Sequence, residues 1–174
     1  VVAKPTGLLA VPGRGADKAD CLARRVQAKY PSARVVHRLD RDTSGVMVLA
    51  LTRAAERSLA RQFQTRRVGK RYIAVVAGVV ADDRGQIALP LRKDMERKYV
   101  HIVDRQQGRE AVTRFAVIER QGNRTRVLLE PLTGRSHQLR VHMQAMGHPI
   151  CGDPLYGDAG SAARLMLHAE SITF

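Results

Sequence analysis

Tryptophan is absent from this sequence, and aromatic residues fill only 4% of its 174 positions. A platform that stacks successive bases of a single strand needs aromatic faces, so that mode of binding is poorly supplied. Cysteine is almost as scarce. Cys21 and Cys151 stand far apart in the chain, which does not make a disulfide framework and fits free thiols in a reducing compartment. No run of about 18 apolar residues occurs, so a membrane-spanning helix is excluded. The opening VVAKPTGLLAV lacks the basic-then-apolar layout of a secretory leader. Acid is the scarce charge: 16 Asp+Glu against 30 Lys+Arg leave a net charge of +14. With 44% hydrophobic and 26% charged residues, the composition is that of a globular domain rather than a disordered basic tail. A cytoplasmic, strongly basic domain with no membrane partner is expected.

The basic excess is clustered. Between Arg53 and Arg71 seven basic residues accompany one acid, Glu56; between Arg24 and Asp42 the count is six to two, and between Arg120 and His142 five to one. Such an excess favours a polyanionic partner, phosphate backbones above all. The bland alternative is a solvated basic face on an ordinary enzyme. Arginine predominates, and its planar guanidinium suits phosphate and stacks on bases. Charge therefore points to nucleic acid and is silent about what is done to it.

No repeat, low-complexity tract or Ser/Gly-rich linker divides the chain, so one domain over 1–174 is expected. Residues 1–4 and 8–11 read as short strands around the Pro5-Thr6-Gly7 turn. Residues 17–30 read as a helix capped by Asp17, with Leu22, Val26 and Tyr30 on one face. The apolar run 45–51 predicts a strand buried on both faces. Thr52 caps a second helix, with Ala55, Leu59 and Phe63 inward and arginines outward. Strands are predicted over 71–80, 86–89, 98–103, 110–119 and 124–132. A helix over 136–146 carries Leu139, Met143 and Met146 on one side and stops at Gly147. Mostly strands with three interspersed helices imply an α+β fold with a mixed, largely antiparallel sheet flanked by helices.

Several chemistries fail at the level of spacing. Lys70 follows Gly69, but Arg71 stands where a P-loop requires Ser or Thr. Gly13 and Gly15 lack the third glycine of a dinucleotide fingerprint. His137, His142 and His148 are spaced by five and six residues with no accompanying Cys pair, so no metal is expected. Ser44 is not flanked as a hydrolase nucleophile. No cofactor is called for.

The informative stretch is His37-Arg38-Leu39-Asp40-Arg41-Asp42-Thr43-Ser44-Gly45, running into the apolar segment. Asp40 is a carboxylate on a turn before a core strand, flanked by Arg38 and Arg41. Neighbouring guanidinium groups keep such an acid ionised and available as nucleophile or base. Read from the residues alone, a structural aspartate capping the turn is an equal alternative.

HRLDRDTSG resembles the H-R-L-D-x-x-T-S-G signature of the RluA family of RNA pseudouridine synthases. VVAKPTGLLAVPG is similar to that family's first hairpin, KRYIAVVAG at 70–78 to its K-x-Y-x-A-x-V-x-G strand, and GRSHQLRVHMQAMGHPICGDPLYG at 134–157 to its G-R-[ST]-H-Q-[IL]-R-V-H helix and following turn. The resemblance spans essentially the whole chain. It implies Asp40 as catalytic aspartate, Tyr72 as the tyrosine packing on the target base, and Arg140 as the basic residue pairing with the aspartate. It implies Arg38 as a residue entering the RNA stack vacated by the uridine. The resemblance and the clusters together make Arg38, Arg41, Arg66, Arg67, Lys70, Arg135 and His137 the expected RNA contacts. The plainer alternatives are a core aromatic for Tyr72, a solvated arginine for Arg140 and a surface phosphate contact for Arg38.

Many relatives carry an S4-type RNA-binding domain ahead of the catalytic one. Val1 already lies in the first hairpin, so none is expected here, and the ending LMLHAESITF suggests a trimmed C-terminus. The wording of 134–157 resembles the short members without S4, which act on the tRNA anticodon stem-loop and a 23S rRNA hairpin. A monomer acting on rRNA and tRNA stem-loops, without small-molecule cofactor, is the expectation. A non-catalytic RNA-binding or RNA-folding module on the same scaffold is the second reading. A glycosylase is the third, and it would need a water-activating group that the sequence does not place.

Overall fold

The computed structural model describes every residue except Arg14, Ala16 and Asp17. In chain order the first elements are β1 (Val2–Lys4), α1 (Leu22–Lys29), β2 (Arg34–Val35), β3 (Ser44–Met47), β4 (Leu49–Ala50) and α2 (Arg53–Gln64). Then follow β5 (Gly69–Ala77), β6 (Arg84–Ala88), β7 (Leu91–Lys93), β8 (His101–Val103), β9 (Val112–Gln121), β10 (Arg124–Pro131), α3 (Gln138–Ala145) and β11 (Leu167–Thr173). The chain divides into two units, Val1–Gly69 with Ala169–Phe174, and Lys70–His168. Three helices and antiparallel strand pairs make the fold α+β, as the order of apolar patterns predicts.

In the first unit the strand order is β1-β3-β11, with Lys4 opposite Gly45 in an antiparallel register. The apolar run predicted as one strand is broken at Val48. Its backbone N–H donates to His37 Nε2 at 3.0 Å, and the two halves enter different sheets, β4 pairing β2. Residues 8–11 are not a strand. Their backbone serves α1 instead: the Leu9 and Ala10 carbonyls accept from Leu22 N and Ala23 N at 2.8 and 3.1 Å. That helix begins at Leu22 with Cys21 at its N-cap; the expected cap, Asp17, lies outside the described residues. It ends before Pro31, which disfavours helical backbone at the residue ahead of it. Tyr30 is exposed rather than inward, and Leu22 and Ala23 carry the buried face. The second helix is as expected, Thr52 Oγ1 accepting from Ala55 N at 3.1 Å.

In the second unit the order is β5-β10-β9-β6, each neighbour antiparallel. Alternation along these strands buries Ala74, Val76, Ile87, Phe115, Val127 and Leu129, onto which α3 lays Leu139 and Met143. The strand expected over 98–103 shrinks to β8. Asp94 draws the preceding residues into a hairpin turn, its Oδ1 accepting from Glu96 N and Arg97 N at 2.9 and 3.3 Å. The last helix starts two residues late because His137 adopts left-handed backbone, φ 56°. Among the described residues no helix is long and apolar enough to cross a membrane.

A buried polar network fixes α3 against β9 and β10. Gln138 Nε2 donates to Val112 O and Thr113 Oγ1, and its Oε1 accepts from Thr133 Oγ1 and Arg135 N. His142, wholly buried, contacts the Leu89 carbonyl through Nε2 and the Thr113 hydroxyl through Nδ1 at 3.0 and 2.9 Å. A carbonyl only accepts, so Nε2 carries the proton and Nδ1 receives the hydroxyl. Burial lowers the His142 pKa below its ordinary 6.5, the Leu89 contact opposing. The folded chain thus binds fewer protons here than the unfolded one, and stability falls as pH drops below about 6.5. Denaturant melts of wild type and His142→Gln across that range should show the slope in the first and its reduction in the second.

Candidate active site

In the first unit the turn carrying Asp40 is tied down on several sides. His37, its first residue, stacks on Phe63 with centroids 4.8 Å apart while its Nε2 holds Val48 N. Leu39 is buried beneath the turn. Lys4 Nζ donates to the Arg41 carbonyl at 2.7 Å, and Thr6 Oγ1 to the Asp42 carbonyl at 2.7 Å. Gly45 closes the turn at φ 120°, where a Cβ would overlap the Ala169 backbone, so only glycine fits. On this frame Asp40 is half-buried and Arg38 exposed. Arg41 pairs with Asp42 at 2.9 Å.

In the second unit Tyr72 lies on β5 opposite Leu129 of β10, half-buried at the margin of the core. Arg140 is not a solvated helix residue. It is 2% exposed, and Nε and Nη2 grip both oxygens of Asp153 at 2.7 and 2.6 Å. Asp153 also accepts from Leu155 N and Tyr156 N. The Tyr156 ring faces the guanidinium at 4.9 Å, a cation–π contact. Tyr156 OH accepts from His101 N at 2.8 Å, which leaves its own proton for His137 Nδ1 at 2.7 Å. The left-handed backbone of His137 is thus locked beside Arg140 by its own side chain.

The expected RNA contacts fall into two groups. Arg38, Arg66 and Arg67 are exposed. Lys70 and Arg135 are half-buried, donating to the Thr133 and Glu110 carbonyls. Arg66 and Arg67 end α2 in a Schellman arrangement, Arg67 N bonding Gln62 O and Arg66 N bonding Phe63 O. Arg66 sits at φ 57°, where glycine is usual. Sequence reasoning missed Lys4, Asp153 and Tyr156 as parts of this machinery. For the last two the signal was the GDPLYG segment and for Lys4 the VVAKPTG hairpin, neither of which carried an assigned role.

The sequence matches the RNA pseudouridylate synthase family over residues 1–145. The chain belongs to that family. It is 52% identical over 99% of its length to the dual-specificity RNA pseudouridine synthase RluA of Yersinia pestis, covering 85% of that protein. With the protein of the same name from Escherichia coli K12 the identity is 49%, over 99% of this chain and 81% of the relative. The fold is similar to human RNA pseudouridylate synthase domain containing 1, with a TM-score of 0.78 at 36% identity, covering 87% of this chain and 68% of that one. The chain is an RNA pseudouridine synthase, an isomerase acting on RNA. The resemblance drawn from the four motifs is thereby borne out.

Proposed function

We propose that this synthase isomerises uridines in both a tRNA anticodon stem-loop and a 23S rRNA hairpin, as a cytoplasmic monomer whose 174 residues act as one catalytic domain. Similarity over 99% of the chain to synthases named for dual specificity supports the substrate range. The half-buried carboxylate of Asp40, on a turn tied through the backbone of its neighbours, carries the catalytic reading. The reaction breaks the N1–C1′ bond, turns the uracil and joins C5 to C1′; the C5 proton leaves and N1 gains one. It needs no redox change and no net water. Asp40 serves as nucleophile or base, Tyr72 packs on the target base, and Arg140 supplies the positive charge of the catalytic set. Extracting a stacked base costs a few kcal/mol, which Arg38 offsets by filling the vacated place. Arg41, Arg66, Arg67, Lys70, Arg135 and His137 hold the backbone.

Tritium release from 5-tritiated uridine, measured separately on the two transcripts with wild type and Asp40→Ala, tests this reading. Release from both, abolished by the substitution, is expected. Release from one transcript alone removes the dual range. Binding without release indicates an RNA-binding module, and free uracil a glycosylase.

The strained Arg66 is itself informative, because an arginine kept where glycine is easier points to its side chain. Arg66→Gly should relieve about 1 kcal/mol of left-handed backbone strain, set against the loss of whatever the side chain holds within the fold. It should also weaken RNA binding and reduce the salt slope of log K by about 1. Salt-dependent filter binding beside a urea melt measures both.

A further inference from the structure

The apolar side of α2 serves the fold. Leu59 and Phe63 are half-buried, and the Phe63 ring stacks on His37, at the start of the Asp40 turn. The only acid of the helix, Glu56, turns to Arg34 of β2 at 3.5 Å. On the opposite side Arg53, Arg57 and Arg61 are all exposed. Among the described residues none of these three side chains makes an ion pair or a hydrogen bond. The arrangement works against the helix. Four-residue spacing sets like charges one turn apart, and Arg53 places a cation at the positive N-terminal end. Glutamine at the three positions would form helix equally well without either cost. Nothing described within the fold offsets the repulsion, so the row of charge points to an anion outside it.

We propose that Arg53, Arg57 and Arg61 form a phosphate track on α2 for the paired RNA stem that carries the target loop. The inference rests on reading the substrates as stem-loops. Neighbouring arginines of the row rise about 6 Å along the helix axis, and the whole row covers about 12 Å. That step is near the separation of successive phosphates on one strand. A straight, evenly charged row suits the regular backbone of a duplex better than a splayed loop, because double-stranded RNA is held by its shape and its phosphates. Position agrees with this. The row lies across a helix about 10–12 Å wide from the side that packs on His37, so it meets nucleotides away from the target uridine. Such contacts carry no sequence information; they add affinity and fix the direction in which the stem leaves the site.

Filter binding across a range of salt tests this on two hairpins that share one loop, one with a long stem and one with the stem cut short. The triple variant Arg53→Gln, Arg57→Gln and Arg61→Gln should lose about 2–3 from the salt slope of log K on the long hairpin. At about 0.1 M salt it should bind that hairpin at least about tenfold more weakly. On the short hairpin its slope should match wild type. The single-turnover rate at saturating RNA should be unchanged on both, and stability in urea equal or higher. A control of equal charge, Arg84→Gln with Arg114→Gln and Arg126→Gln, removes exposed arginines of β6, β9 and β10. It should keep the wild-type slope, since only contacted phosphates release counterions. An unchanged slope in the α2 variant, a loss shared by the short hairpin, an equal loss in the control, or a lowered rate at saturation overturns the proposal. Wild type that releases no tritium from either hairpin removes the stem-loop reading, whereas full release beside an unchanged α2 slope removes only the track.

Discussion

Asp40→Asn should bind RNA within about twofold of wild type and isomerise uridine more than about a thousandfold more slowly. The two side chains are nearly the same size, so packing around this half-buried position is kept. The turn is tied through the Arg41 and Asp42 carbonyls and the Val48 amide, none of which the substitution touches. Removing a negative charge from a chain of net charge +14 does not weaken its attraction for phosphate. What disappears is the anionic oxygen to which the proposed function gives the attack on carbon or the removal of a proton. Tritium release and filter binding on the same preparation separate the two effects. Near-normal release would sink the assignment of Asp40, and lost binding would make the residue a structural one.

Breaking the Arg140–Asp153 pair should produce a large loss of stability. Both side chains are buried, at 2% and 0% exposure, and they are joined by two short hydrogen bonds. Asp153→Ala takes from a buried guanidinium the carboxylate that its Nε and Nη2 both grip, which costs about 3–5 kcal/mol, a large part of the total stability of an ordinary domain. Replacing both charges is different, because the desolvation they demand vanishes with them. Arg140→Met with Asp153→Asn keeps an acceptor for Leu155 N and Tyr156 N and sets a thioether against the Tyr156 ring. That double variant should regain most of the stability in urea melts and none of the isomerisation. Recovery of both would show that Arg140 serves the fold alone.

The course of the chain explains which features were readable beforehand. The second helix and its Thr52 cap were legible because capping and 3.6-residue periodicity are local properties. The strands β9 and β10 were legible for the same reason, since alternation needs only near neighbours. The break at Val48 was not, because nothing in GVMVLAL announces that one amide turns to His37. Nor was the loss of the strand over 8–11, whose carbonyls are taken by a helix start twelve or more residues later. The missed strand β11 pairs only with elements distant in sequence.

By itself the sequence determined the α+β class and the RNA-directed charge, and it singled out Asp40, Tyr72 and Arg140, the residues on which the proposed function places the chemistry. Each lies inside a short motif whose residue types and spacing are local. Tertiary structure alone decided what holds the turn and the arginine. The ammonium of Lys4 meets the carbonyl of Arg41, the carboxylate of Asp153 meets Arg140, and the hydroxyl of Tyr156 meets His101 and His137. A lysine ending a strand and an aspartate after a glycine are unremarkable as letters. Burial makes them consequential, because a charge removed from water must find partners, and those partners come from wherever the fold brings the chain back.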